Sequence, residues 1–165
     1  MDIIAEGQIH FSDPTYTFEH TSLSLEDAIR KLIRRAKESI SIVSFSLPTF
    51  NPNWYLYDII DSKIKSGVKL NIYGNRHSEV HRLVSRFRHL GARGFCWKSD
   101  DSNGLFHIKA IIIDDLHVYF GSANLSENSI KNSAEMGFIS SNSSICYAIN
   151  NYLSHLEISG KLELV

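Results

Sequence analysis

The sequence predicts a three-layer α/β/α sandwich built on a mixed, mostly parallel sheet. Three observations carry that prediction. Between residues 25 and 97, segments with apolar residues at helical spacing alternate with short β-branched and aromatic runs. That order arises when helices cover a parallel sheet. Past residue 104, two apolar runs flank Asp114-Asp115 and read as a tight antiparallel hairpin. No repeat, linker or low-complexity stretch interrupts the 165 residues. Residues 1–165 are therefore expected to form a single domain, long enough to bury a core.

Taken in order, residues 1–20 hold short apolar alternations (Ile3-Ile4, Gln8 to Phe11, Tyr16 to Phe18) broken by Asp13-Pro14, which suggest edge strands or a hairpin. Ser22 or Ser24 can cap a helix from Leu25 to Glu38, with Ala28, Ile29, Leu32, Ile33 and Ala36 recurring on one face. Ser39 to Leu47 predicts a strand stopped by Pro48. Asn53 opens a second helix with Leu56, Ile59, Ile60 and Ile64 inward; Gly67 closes it and Val68 to Tyr73 forms the next strand. Ser78 caps a third helix through Leu90, closed by Gly91, and Arg93 to Trp97 is a further strand. Leu105 to Ile113 and His117 to Phe120 are the arms of the hairpin, Ala134 to Ile139 adds a strand, and Asn142 to about His155 a last helix.

An apolar content of 43% and a charged content of 21% describe an ordinary globular chain. No apolar run approaches the roughly 20 residues that cross a bilayer. Met1 to Glu6 lacks the basic and then apolar signature of a secretory signal. The cytoplasm is the expected compartment, with a removed leader left open. Cys96 and Cys146 have no metal-like spacing and read as buried thiols. Net charge is -1, yet Arg76, Arg82, Arg86, Arg88, Arg93 and Lys98 face only Glu79 within one stretch. A basic surface on an otherwise acidic chain suits a phosphate-backbone binder, and Arg76, Arg82 and Arg86 are its expected contacts. His77 and His81 are four apart on the third helix, but no third metal ligand accompanies them. Trp54, Tyr55 and Tyr57 read as core and rim.

The chemistry concentrates after residue 106. His107 and Lys109 stand two apart in a strand-like run, so both side chains leave the same face. An imidazole and an ammonium side by side suit an anionic phosphodiester, whose non-bridging oxygens need neutralising while a nucleophile waits in line. His-x-Lys-x4-Asp alone arises by chance on the order of a few per cent of the time in a chain this long. The following Gly121-Ser122-Ala123-Asn124, and Glu135 further on, make coincidence much less plausible.

From Phe106 to about Ile139 the sequence resembles the phospholipase D superfamily, whose signature is HxK(x)4D, then GSxN, then a downstream acid. The resemblance implies a phospholipase D-like α/β/α fold and a metal-independent phosphodiesterase. It implies catalytic roles for His107, Lys109, Asn124 and Glu135, with a structural or indirect one for Asp114. His107 is the expected nucleophile, since a neutral imidazole attacks phosphorus and leaves readily from a phosphohistidine. Lys109 and Asn124 are expected to hold non-bridging oxygens, with Ser122 assisting and Gly121 permitting close backbone approach. Glu135 is expected to accept the other ring N–H of His107. No cofactor or metal is expected.

In-line displacement needs an attacking group on one side of phosphorus and a proton donor on the other. No other histidine has a Lys two residues on, whereas most of the superfamily carries two motifs per chain. Small single-motif relatives, including certain bacterial endonucleases, solve this by homodimerisation, and this chain looks like them. The expected function is a nuclease acting on DNA across a homodimer. Phospholipid hydrolysis, or a non-catalytic nucleic-acid-binding module with a relic site, are the alternatives.

Overall fold

A computed structural model describes residues 7–13, 23–99 and 104–165. In chain order these form β1 (Gln8–Ser12), α1 (Leu25–Arg34), β2 (Ser39–Ser44), α2 (Tyr57–Lys65), β3 (Lys69–Gly74), α3 (His77–Ser85), β4 (Arg93–Trp97), β5 (Ala110–Ile113), β6 (His117–Gly121), α4 (Glu127–Asn132), β7 (Glu135–Ser140), α5 (Ser143–Ile158) and β8 (Leu162–Leu164). A single sheet runs β1-β7-β6-β5-β2-β3-β4-β8.

Side-chain alternation decides the layers. Ile111 and Ile113 of β5 join Ile40, Ile42, Ile72 and Tyr119 on one face, beneath the apolar sides of α1, α2, α3 and α4. Ala110 and Ile112 join Val43, Phe95 and Val118 on the other, where α5 contributes Cys146, Leu153 and Leu156. Three layers result, as expected. The second helical layer is thin: among the described residues α5 is its only helix, and it covers Val118 of β6 but not β1, β7 or the end of β6 at Phe120. Register puts Ile9 opposite Phe138, Phe11 opposite Met136 and Phe120 opposite Phe138, all on that uncovered face. Ile9, Phe11, Phe120 and Met136 are exposed there.

The balance of strand directions differs from expectation. Only β2–β3 and β3–β4 are parallel among the described strands; the other five pairings are antiparallel. β5 and β6 form a hairpin, β7 returns beside β6, β5 enters antiparallel to β2, and β1 and β8 run antiparallel to the strands they flank, so α5 carries the chain from β7 to β8 without adding a parallel pair. β1 is an edge strand as predicted. Tyr16 to Phe18 and Ile3-Ile4 lie outside the described residues.

Several elements are shorter than periodicity suggests. α1 begins at its Ser24 cap but ends at Arg34, not Glu38. The reason is tertiary: the amides of Lys37, Glu38 and Ser39 donate to the Asp114 carboxylate at 2.9, 2.9 and 2.8 Å and so leave the helix. β2 ends at Ser44, and Phe45 to Leu47 turn away from it. α2 starts at Tyr57, after a turn that buries Trp54, Tyr55 and Leu56. α3 runs from His77 without a side-chain cap and stops at Ser85; a 3-10 turn over Arg88–Leu90 follows, closed by Gly91 at φ 86°. α4 and β8 were not legible in the periodicity.

Candidate active site

Parallel strands β2, β3 and β4 all point their C-terminal ends to one edge of the sheet. Antiparallel β5 starts at that edge, β6 finishes there and β7 starts there. The edge therefore collects His107 and Lys109 before β5, Gly121 and Ser122 at the end of β6, and Glu135 at the start of β7. His107 and Lys109 precede β5 itself, although the Gly121 amide donates to the Lys109 carbonyl at 3.3 Å and continues the pairing.

Lys109 is buried, and its Nζ lies 3.2 Å from Nδ1 and 3.3 Å from Nε2 of His107, and 3.1 Å from the His107 carbonyl. Burial pulls the Lys109 pKa below the ordinary lysine range, and the Glu135 carboxylate opposes that shift. The His107 ring is exposed and rests against Phe45, centroids 4.7 Å apart. His107, Lys109, Gly121 and Ser122 line one cavity of about 750 Å³, floored by Ile9, Phe120, Met136 and Phe138.

Ser122 is stitched to β7. Its amide donates to the Met136 carbonyl at 3.0 Å, its Oγ accepts the Met136 amide at 3.1 Å, and its hydroxyl donates to Glu135 Oε2. Glu135 thus takes the Ser122 hydroxyl, and among the described residues the His107 ring makes no bond to it. The sheet order supplies the reason, since β6 with Ser122 lies between β7 and β5 and strands are about 4.8 Å apart. Close approach at Gly121 is of β7 itself: a Cβ there would fall 2.5 Å from the Met136 carbonyl oxygen and 2.8 Å from Gly137 Cα.

Asn124 accepts the Ser46 amide on Oδ1 at 3.3 Å, leaving its NH2 without a partner among the described residues. Phe45 and Ser46 therefore wall the site. Nothing in the local sequence marks them as part of it. Trp54 donates its indole N–H to the Leu125 carbonyl at 2.8 Å and secures the residue after Asn124.

Asp114 does not join this cluster. It sits at the opposite end of β5, roughly 16 Å from Lys109 at 3.3 Å per residue. Asp114 and Asp115 have φ of 54° and 55°, as a type I′ turn requires, with Leu116 N–H donating to the Ile113 carbonyl at 3.0 Å. Burial pushes the Asp114 carboxyl up, but the amides of Ser39, Glu38 and Lys37, with nearby His117, outweigh this and hold it below the ordinary carboxylate range. Its carboxylate holds the backbone of Lys37 to Ser39 and lies away from the His107–Lys109 cluster.

The basic helix is only partly available. Arg82 is exposed with no partner for its guanidinium among the described residues. Arg76 is exposed but pairs with Glu79 at 3.1 Å. Arg86 is engaged by Tyr57 Oη at 2.7 Å and by the Phe50 and Tyr57 rings. His77 and His81 stack at 6.0 Å, and no group of three or more His, Cys, Asp or Glu that could hold a metal occurs among the described residues. Among the described residues no helix is long and apolar enough to cross a membrane.

The family description "Cardiolipin synthase, PLD-like domain" matches residues 29–157, most of the chain and all of the cluster just described. The chain belongs to the phospholipase D superfamily. Phospholipase D Y of Dictyostelium discoideum is 30% identical over 138 residues, covering 74% of this chain and 31% of that protein. DISARM protein DrmC of Bacillus paralicheniformis is 24% identical over 113 residues, covering 66% of this chain and 46% of that protein. The chain thus spans less than half the length of these curated relatives. Phospholipase D-type structures share its fold. Nuc, a phospholipase D family member from Salmonella typhimurium, superposes with a TM-score of 0.65 at 18% identity, covering 96% of this chain and 97% of that one. NucT from Helicobacter pylori gives 0.66 at 19% identity, covering 93% and 98%.

Proposed function

We propose that this phospholipase D-superfamily domain is a phosphodiesterase that cleaves nucleic acid, DNA foremost, through a phosphohistidine on His107. The observation that carries this reading is the shared cavity of His107, Lys109 and Ser122; Asn124, two residues on, is held through its Oδ1 by Ser46 and has an NH2 without a partner among the described residues. Lys109 and Asn124 hold non-bridging oxygens while the imidazole attacks phosphorus. Glu135 supports the charge of Lys109; for it to accept a ring N–H of His107, the Ser122 bond must open as the hydroxyl turns to the phosphate. Exposed Arg82, together with Arg76 when it leaves Glu79, supplies backbone contacts that a nucleic acid rewards more than a lipid headgroup does. The buried, unpaired thiols of Cys96 and Cys146 suit a reducing cytoplasm.

One imidazole cannot both attack phosphorus and protonate the leaving oxygen. The second is supplied by another copy of the chain, related by a two-fold axis, whose His107 gives its proton to the leaving oxygen and then activates water against the phosphohistidine. The uncovered apolar strip of Ile9, Phe120, Met136 and Phe138 supports this, because it is continuous with the cavity that His107 lines.

Plasmid, single-stranded DNA, RNA and a phospholipid vesicle, each with and without EDTA, form the test. Nucleic acid cleavage that survives EDTA is expected, and consumption of lipid alone rejects the nuclease reading. Binding of nucleic acid without cleavage leaves only a binding module. Mixing wild type with His107→Ala protein should give mixed dimers without turnover. Full activity in mixed dimers, or in a demonstrated monomer, rejects the shared site.

A further inference from the structure

Three consecutive residues just past β2 each meet a different part of the site. The Phe45 ring packs on His107 at 4.7 Å and lies 5.7 Å from Lys109 Nζ. The Ser46 amide donates to Asn124 Oδ1 at 3.3 Å. The Leu47 amide donates to Glu79 Oε2 at 2.9 Å, a contact buried between the loop and α3. Glu79 is the one buried carboxylate among the described residues.

A buried charge is costly unless each lone-pair site is used. Here Oε1 takes the Arg76 guanidinium at 3.1 Å while Oε2 takes the Leu47 N–H. Leu47 is also wedged laterally, since a Cβ on Gly74 would fall 2.8 Å from Leu47 Cδ1 and 2.6 Å from Val80 Cγ2. Ser44 Oγ donates to the Ser46 carbonyl at 2.8 Å and limits rotation of the next peptide. With both ends of the segment held, the Ser46 N–H has one direction available. An amide side chain has one accepting and one donating end, so fixing Asn124 Oδ1 leaves its NH2 as the free end.

We propose that Glu79 is a positioning residue of this site: by holding the Leu47 amide it sets Ser46 against Asn124 and Phe45 against His107. Its carboxylate touches no reacting atom. The basic helix α3 thereby locks the geometry of the groups placed around phosphorus. The kinetic consequence rests on the phosphodiesterase reading above; the structural one does not.

Glu79→Asp and Glu79→Gln separate this from a purely structural ion pair. Gln keeps an acceptor at the same reach and loses the charge, whereas Asp keeps the charge and withdraws the acceptor by one methylene. On bis-p-nitrophenyl phosphate, E79D should lose kcat roughly tenfold at unchanged KM, the scale expected for sub-ångström misplacement. E79Q should stay within about twofold of wild type. The opposite order, with E79Q the worse, overturns the proposal. In an Asn124→Ala background the E79D loss should shrink clearly, and an undiminished loss overturns action through Asn124. NMR gives the readout that needs no turnover: E79D should shift the Ser46 and Leu47 amides and the Asn124 side-chain NH2 while sparing the Lys37 to Ser39 amides at the far end. Unmoved signals at Ser46, Leu47 and Asn124 overturn it. A wild-type protein that cleaves no phosphodiester would end the functional reading, and the NMR comparison would still judge Glu79.

Discussion

Replacing Asp114 tests whether the third letter of the motif belongs to the chemistry or to the frame. Its carboxylate receives three backbone N–H groups, from Lys37, Glu38 and Ser39 at 2.9, 2.9 and 2.8 Å. Hydrogen bonds to a charged group contribute about 1.5–3 kcal/mol each. The two to Lys37 and Glu38 are open to water, which replaces them in the variant, so each counts for about 1 kcal/mol; the part-buried bond to Ser39 counts for about 2. Asp114→Ala then costs roughly 4 kcal/mol, with a further penalty of about 1 because Ala disfavours the φ of 54°. Asp114→Asn tolerates that φ and keeps one acceptor, so it costs about 2 kcal/mol. At about 2–4 °C per kcal/mol for a chain of this size, D114N should melt some 4–8 °C below wild type and D114A at least twice as far below. The sign with pH follows from the depressed carboxyl. Its contribution is complete above the unfolded value near about 3.9 and is lost as pH falls through the lower folded value, so wild type and D114N should converge in acid. Calorimetry across pH, with kcat measured well below melting, checks this. A D114N protein of unchanged Tm and hundredfold lower kcat refutes the clamp and restores a catalytic role.

Further outcomes follow from the same geometry. Gly121→Ala forces a Cβ against the Met136 carbonyl, so it should cost roughly 1–3 kcal/mol in thermal unfolding and, by displacing Ser122, lower kcat as well. Because burial lowers the Lys109 pKa, the alkaline limb of kcat/KM should fall below the ordinary lysine range as the ammonium loses its charge with rising pH. Glu135→Gln removes the opposing influence and should move that limb to still lower pH; a limb that stays in place means another group sets it. Met136→Asp places a charge in the middle of the bare strip and should give a folded, monomeric, inactive protein by light scattering. A dimer that persists with full activity puts the interface elsewhere.

Much of the site was legible because its residues are close in sequence. His107 and Lys109 are two apart, and Gly121 to Asn124 follow one hairpin turn later, so strand alternation and a short loop bring them together whatever the rest of the fold does. Glu135 was legible as the residue that opens β7, but its bond to Ser122 was not, because strand order within a sheet leaves no local trace. Phe45, Ser46 and Glu79 carried no signal either. They reach the site from β2 and α3 only when parallel strands align their C-terminal ends.

Local order and residue chemistry therefore determined the α/β class, the candidate cluster around His107 and Lys109, and the presence of a single His-x-Lys motif. Tertiary structure alone decided the mainly antiparallel sheet, the early end of α1, the capture of the Lys37 to Ser39 amides by Asp114, and the bare apolar strip. The physical reason is common to all four. Periodicity reports which side of an element is buried, whereas the partner across it, the amide that a carboxylate captures and the area that one helix fails to cover depend on contacts between residues tens of positions apart.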